Sequence, residues 1–253
     1  MKILFSSYLF APSVGGIETV SALLAPEFVK AGHEVILVTR TAEEDGVPRP
    51  YAVYRRPGAQ KLMELVRWCD VYLQNNISLE LVWPLFLVRR PWIIAHHTWI
   101  GHSTPGGAWK AALKRALLRR ATNAAISGAV AAQLPVPATV TGNPYDDRIF
   151  HERPEIARDR ELVFVGRLVS DKGADLLLRA LDRLRKRDLR PRLTIIGAGP
   201  EEPNLRRLAE DLQLTGQVEF AGSLAPAELA RALNRQRILV VPSRWEEPFG
   251  LVA

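Results

Sequence analysis

The sequence predicts an α/β protein made of two Rossmann-like domains, and three observations lead there. Short β-branched apolar runs alternate with amphipathic helical stretches along the whole chain, the pattern of parallel sheets covered by helices. The alternation lapses once, over 146–160, where the residues are charged, include proline and lose apolar periodicity, as in a linker. The length of 253 residues leaves room for two domains of ordinary size. The expected domains are 1–150 and 151–253.

The first domain should open with a strand over 2–6 and a helix over 17–31, kinked at Pro26 because proline has no N–H to donate. Gly32 ends that helix before a second strand at 34–39. Further short strands are expected at 52–54, 71–74, 92–95, 123–126 and 139–141. Helices at 61–68, 79–89, 109–121 and 128–134 lie between several of them. After the linker, strands at 162–165, 192–196, 218–221 and 238–241 alternate with helices at 174–186, 204–212 and 226–234. Ligands of such sheets bind beyond the carboxyl ends of the strands, and two such domains are expected to face a cleft. Four strands make a thin doubly wound domain, so the second is expected to be incomplete, with apolar edge and face surface exposed.

With 47% hydrophobic and 24% charged residues the composition is that of a soluble globular protein and excludes a disordered or fibrous one. The single cysteine, Cys69, excludes an intramolecular disulfide and fits a reducing compartment; its apolar surroundings read as buried filler. The N-terminal apolar run is too short for a signal peptide, and no stretch approaches the ~20 apolar residues of a membrane span, so a cytoplasmic location is expected. A net charge of +7 favours anionic partners without choosing among phosphorylated metabolites, nucleic acid and a membrane surface.

Five stretches carry candidate chemistry. Gly15 and Gly16 open the first helix and can turn backbone N–H groups towards a phosphate, or can simply make a tight turn. Arg167 and Lys172 stand five apart after the first strand of the second domain. They can close on one polyanion, arginine forking onto two oxygens, or can be solvated loop charges. Gly197-Ala198-Gly199 begins like a dinucleotide fingerprint, but Pro200 and Glu202 argue against a nicotinamide site. His96 and His97 follow the strand at 92–95 and can hydrogen-bond a ligand, move a proton or serve structure alone. With no second His/Cys cluster at ligand spacing, zinc is not expected, and no Asp-x-Asp is present to hold a divalent ion. The fifth stretch, Trp109 to Arg120, sets Lys110, Lys114, Arg115, Arg119 and Arg120 among alanines and leucines. It reads as a solvated helix face or as a peripheral contact with an anionic membrane.

At the carboxyl end, the apolar run 238–241 breaks at Pro242 into a loop with Glu246, Glu247, Pro248, Phe249 and Gly250. Gly250 leaves room for close approach and Glu247 can accept hydrogen bonds from hydroxyls, although a surface turn has the same composition.

Taken in order, these motifs resemble the retaining GT-B glycosyltransferases of family 4 over nearly the whole chain. The resemblance rests on Gly15-Gly16-Ile17-Glu18, Gly32-His33-Glu34-Val35, Ser127, Asn143 and Asp146 before Phe150. It continues with Val165-Gly166-Arg167, Lys172-Gly173, Ile196 to Pro200, Val218 to Gly222, and Pro242-Ser243 with Glu247 to Leu251. Where the family commonly has Asn-Gly, this chain has Asn143-Pro144.

The resemblance implies transfer from a nucleotide-diphosphate sugar to a hydroxyl acceptor, saccharide or lipid-linked, with retention, no cofactor and no bound metal. It assigns Arg167 and Lys172 to the leaving diphosphate, with Gly15 and Gly16 against the same phosphates. It places His97 near the donor sugar, Leu224 near the nucleobase, and Glu247, Phe249, Gly250 and Leu251 at the sugar hydroxyls. The loop Gly101 to Gly107 is expected to help choose the acceptor. Peripheral contact would lie on the inner membrane face, through Trp109 to Arg120. The family's second glutamate, seven residues past Glu247, is not reached, so reduced activity of this chain is an expectation too. A non-catalytic nucleotide-sugar or diphosphate-binding protein and a GT-B-like sugar-nucleotide epimerase are the alternatives. Nucleic-acid binding ranks last, since the basic residues are not interleaved with aromatics.

Overall fold

In a computed structural model describing residues 1–13, 15–100, 107–250 and 252, the chain forms two units, Met1–Tyr145 and Asp146–Ala253. The boundary falls where the charged linker composition begins.

In the first unit the chain order is β1 (Lys2–Ser7), α1 (Gly16–Lys30), β2 (Glu34–Thr39), β3 (Ala52–Arg55), α2 (Ala59–Trp68), β4 (Val71–Asn75) and α3 (Leu79–Val82). There follow β5 (Trp92–His96), α4 (Ala108–Leu117), β6 (Thr122–Ala125), α5 (Gly128–Gln133) and β7 (Thr139–Val140). All seven strands pair in parallel, in the order β3-β2-β1-β4-β5-β6-β7. The period-2 alternation of side chains sets the layers. Leu4 and Val38 join Leu65 and Val66 of α2 in one core cluster, whereas Ile3, Phe5, Val35 and Leu37 join Ala25, Leu24 and Phe28 of α1 in another. One sheet is thus covered on both faces.

The second unit contains β8 (Arg160–Val165), α6 (Ala174–Arg185), β9 (Leu193–Ile196), α7 (Glu202–Asp211), β10 (Val218–Gly222), α8 (Pro226–Asn234) and β11 (Gln236–Leu239). Its four parallel strands run in the order β10-β9-β8-β11. Phe164, Leu193 and Ile195 pack on Leu177, Leu178 and Leu181 of α6 and on Leu205 and Ala209 of α7. In both sheets the strand order reverses beside the first strand of the unit, between β1 and β4 and between β8 and β11. A doubly wound sheet opens a ligand crevice at such a reversal.

Several local expectations are corrected. The helix expected over 79–89 stops at Val82 and tightens into a 3-10 turn, Trp83–Phe86, because Pro84 cannot donate the next helical bond. The helix expected to Ala121 is α-helical only to Leu117, then 3-10 over Leu118–Arg120. The last strand lies two residues earlier than its apolar run suggested. Its register is set by pairing with β8, which places Gln236 beside Arg160, and Gln236 is buried. The helix expected over 17–31 runs from Gly16 to Lys30 with Pro26 inside it. The helix closes as expected, with Gly32 at φ 82°, its N–H bonding Val29 O, and the His33 N–H reaching Phe28 O. Cys69 is buried, as its context suggested, and burial pushes its thiol up to about 11.

Candidate functional site

The reversal point of the second unit is built from two loops, one leaving β8 and one leaving β11. Lys172 ends a short 3-10 turn on the first loop, and its ammonium pairs with the Glu247 carboxylate on the second. Ser243 Oγ donates to the same Glu247 oxygen at 2.8 Å. Burial opposes charge on this carboxyl, but the donations from Lys172, Ser243 and Trp245 outweigh it and hold Glu247 below its usual range. The glutamate is therefore an anion at neutral pH, an acceptor for hydroxyls. Arg244 fastens the two loops together. Its guanidinium donates to both Asp175 oxygens, at 2.6 and 2.5 Å, and to Ser170 O at 2.8 Å, while its own N–H reaches Asp171 O. Arg167 is exposed on the β8 loop.

Glycines let the backbones of these loops touch. A Cβ on Gly173, at φ 71°, would lie 2.1 Å from Pro242 O; on Gly197, at φ 136°, 1.9 Å from Gly166 O; on Gly199, 2.3 Å from Leu168 O. Real Cβ atoms do not approach oxygen so closely, so only glycine fits. The glycines that resembled a dinucleotide fingerprint thus seat one loop on another. Gly250, at φ 78°, has open space around it, and Phe249 beside it is exposed.

At the reversal point of the first unit the side chains on the strand ends themselves are neutral. The β4 strand ends on Asn75, with Asn76 next after it, and the β5 strand extends one residue further than expected, so His96 is its last residue and His97 alone follows it. His96 is buried, with Nε2 2.9 Å from Asn123 Oδ1, and burial lowers its pKa. His97 Nε2 lies 3.2 Å from Asn75 Oδ1, and Nδ1 3.2 Å from Asn143 Oδ1. Asn75 Nδ2 donates to Ser21 Oγ, and Ser21 Oγ to Ser7 Oγ, each at 2.8 Å; Ser7 Oγ donates to Leu9 O at 2.6 Å. Burial, with His96 as a lesser contributor, lowers the pKa of His97 to about 4 against a weaker opposing bond to Asn143. The ring is neutral at pH 7 and carries one N–H. Both ring nitrogens face amide oxygens, so the single N–H of the neutral ring donates to Asn75 Oδ1 or to Asn143 Oδ1 but not to both at once. Asn76 adopts a left-handed conformation, φ 55°, that aims Oδ1 at the His97 N–H, 2.7 Å away.

A cavity of about 690 Å³ opens at these strand ends, lined by Tyr8, Leu9, Asn75, His96, Trp99 and Lys114 among others. Glu18 also lines it, with its carboxylate folded over Gly15, 2.5 Å from where a Cβ would sit. The chain's own acid thus lies against the helix N-terminus that the glycines were expected to offer to a phosphate. Among the described residues no group of three or more His, Cys, Asp or Glu side chains could hold a metal ion. Among the described residues no helix is long and apolar enough to cross a membrane.

Comparison with known proteins bears on the second unit first. Residues 146–253 match the family model described as glycosyl transferases group 1. Glycogen synthase of Mycobacterium tuberculosis is 40% identical over 93 residues, which are 37% of this chain and 22% of that one. D-inositol 3-phosphate glycosyltransferase of Frankia alni is 39% identical over 123 residues, 45% of this chain and 30% of that one. The chain thus spans less than a third of the length of these curated relatives. Sucrose-phosphate synthase from Thermosynechococcus elongatus superposes with a TM-score of 0.76 at 19% identity, covering 100% of this chain and 77% of that one. The fold is that of the GT-B glycosyltransferases.

Of the site residues expected from sequence, the structure brings Lys172 and Glu247 into contact and places Arg167 on the Lys172 loop. Leu224 is half-buried beyond β10, the strand at the opposite edge of the second unit's sheet from β11. Leu251 and 101–106 lie outside the described residues. Ser127 caps α5, its Oγ accepting from the Val130 N–H. Sequence reasoning missed Ser21, Asn75 and Asn76. Asn75-Asn76 at a strand's carboxyl end was the same signal that drew attention to His96-His97; Ser21, inside a helix, gave none.

Proposed function

We propose that the protein transfers a glycosyl group from a nucleotide-diphosphate sugar to a hydroxyl acceptor, with retention at the anomeric carbon. The observation that carries the reading is the Lys172–Glu247–Ser243 cluster at the reversal point of the unit that matches the group 1 family model. In this reading the bond from the anomeric carbon to the diphosphate breaks, a bond to the acceptor oxygen forms and the acceptor loses its proton. Negative charge grows on the departing phosphate. The Arg167 fork and the remaining N–H groups of Lys172 meet that charge in place of a resident metal. Glu247 accepts from a sugar hydroxyl, with Phe249, Gly250 and Leu251 beside the sugar, and the open space around Gly250 permits close approach. Leu224 meets the nucleobase. In the first unit Gly15 and Gly16 approach the phosphates, with Glu18 turning away. His97 is a neutral hydrogen-bonding partner for the donor sugar, and the 690 Å³ cavity takes a saccharide or lipid-linked acceptor.

The test is calorimetry with UDP, GDP and ADP, followed by turnover assays with the corresponding sugar nucleotides and NMR of the product's anomeric proton. Binding of one diphosphate, lost in Arg167→Ala, with a product of the donor's configuration and turnover unaffected by EDTA, is expected. Inverted product or no binding overturns the reading, and binding without turnover leaves a nucleotide-sugar-binding protein.

A further inference from the structure

Acidic residues are absent from the 65 positions between Leu81 and Tyr145, whereas seven lysines and arginines lie there: Arg89, Arg90, Lys110, Lys114, Arg115, Arg119 and Arg120. Five of the seven sit on α4 and the 3-10 turn that continues it. None of the carboxylate ion pairs formed among the described residues involves any of those five.

The same helix is apolar on the wrong side for a solvated one. Its buried contacts are Ala111 and Leu117, yet Trp109, Ala112, Leu113 and Ala116 are all exposed, at the i, i+3, i+4, i+7 spacing of one helix face. Trp109 is 63% exposed and Leu113 41%. Lys110 lies over the Trp109 ring at 5.6 Å, and Arg120 over the exposed Phe86 ring at 6.0 Å, next to exposed Leu87. An ordinary surface helix turns charge outward and oil inward. Here an outward apolar stripe is bordered by cations in a stretch of chain without acids, Glu18 and Glu80 being the acids that line the cavity at its Trp109 end.

We infer that α4, with the 3-10 turn after it and the Phe86-Leu87 corner, docks on an anionic lipid bilayer, the stripe entering the headgroup boundary and Lys110, Arg119 and Arg120 meeting lipid phosphates. Charge complementarity selects an anion. The stripe selects a bilayer over nucleic acid, which offers no apolar layer to receive an indole and a leucine. The donor loops and His97 take no part, but Trp109 and Lys110 also line the cavity assigned to the acceptor, so the inference meets the transfer reading there.

Flotation of the whole chain with vesicles of phosphatidylglycerol, of phosphatidylcholine and of their mixture tests it. Binding is expected to rise with phosphatidylglycerol, to weaken with salt and to be absent on phosphatidylcholine alone. Lys110→Gln with Arg119→Gln should weaken it about 25-fold, near fivefold for each cation. Trp109→Ser with Leu113→Ser should abolish it while leaving the far-ultraviolet circular dichroism unchanged, since both residues are exposed. Quenching of tryptophan fluorescence by brominated phosphatidylglycerol should vanish in Trp109→Phe. No binding by the wild-type chain, equal binding to both lipids, a stripe variant that is folded and still binds, or unchanged quenching in Trp109→Phe would each overturn the proposal.

Discussion

At its reversal point the first unit gathers asparagines, serines and two neutral histidines, and at the corresponding place the second gathers a lysine, a glutamate and an exposed arginine. The two sheets share a connectivity logic yet differ in what they hold at the strand ends. In the first unit a chain of polar contacts runs from Asn143 through His97, Asn75 and Ser21 to Ser7, with no formal charge along it. In the second, Lys172 and Glu247 are each 23% exposed, wet enough to exchange partners and dry enough for their fields to matter. The comparison teaches that a doubly wound sheet supplies the place, and the residues after its strands decide the chemistry.

The largest effects should come from the charged side. Lys172→Ala is expected to lower turnover by about 10²–10³-fold, the scale for removing one fixed donor from developing charge, whereas Asn75→Ala should cost less than tenfold. Next comes the backbone that holds the charged loops. Gly197→Ala should destabilise the protein by about 2–4 kcal/mol in urea unfolding, through strain at positive φ and collision with Gly166 O. Gly15→Ala, which meets only the mobile end of Glu18, should cost under about 1 kcal/mol.

The pH response separates the units further. Because the folded pKa of His97, about 4, lies below the ordinary histidine value, the unfolded chain binds the proton first as pH falls. Stability should decline between about pH 6.5 and 4, with a limiting slope of about 1.4 kcal/mol per pH unit for this group. The depressed carboxyl of Glu247 contributes stability that is lost only as pH falls below the ordinary carboxylate range. Asn75→Ala should remove about 1–3 kcal/mol by deleting one buried partner each of His97 and Ser21, and should shift the His97 ring signals in nitrogen NMR. The smallest effect is expected from Asp175→Asn. Its pair with Arg244 is substantially exposed, so the change should cost at most about 1 kcal/mol in unfolding.

Much of this was legible in the chain. Alternating βα periodicity pointed to the strands, most readily to β1, β2 and β9, whose apolar runs are buried in the parallel sheets. Lys172 and Glu247 could be singled out as polar residues just past strand ends. Their pairing could not, because 75 positions separate them and only the closure of β11 on β8 brings them together. The purpose of Gly197 and Gly199 was hidden for the same reason: what they make room for is the backbone of another loop. The break at Pro84 and the shift of β11 to Gln236 show local pattern yielding to a missing donor and to ladder register. Ser21 was invisible, being one small polar residue in a helix until Asn75 is set beside it.

The central claim, that the charged reversal point receives a nucleotide diphosphate, meets its most direct test in isothermal titration of the wild-type, Lys172→Ala and Asn75→Ala proteins with UDP, GDP and ADP. The account predicts that one diphosphate binds, that Lys172→Ala weakens it at least tenfold, and that Asn75→Ala leaves its affinity within twofold. No binding by the wild-type protein, or equal affinity in the wild-type and Lys172→Ala proteins, would contradict it.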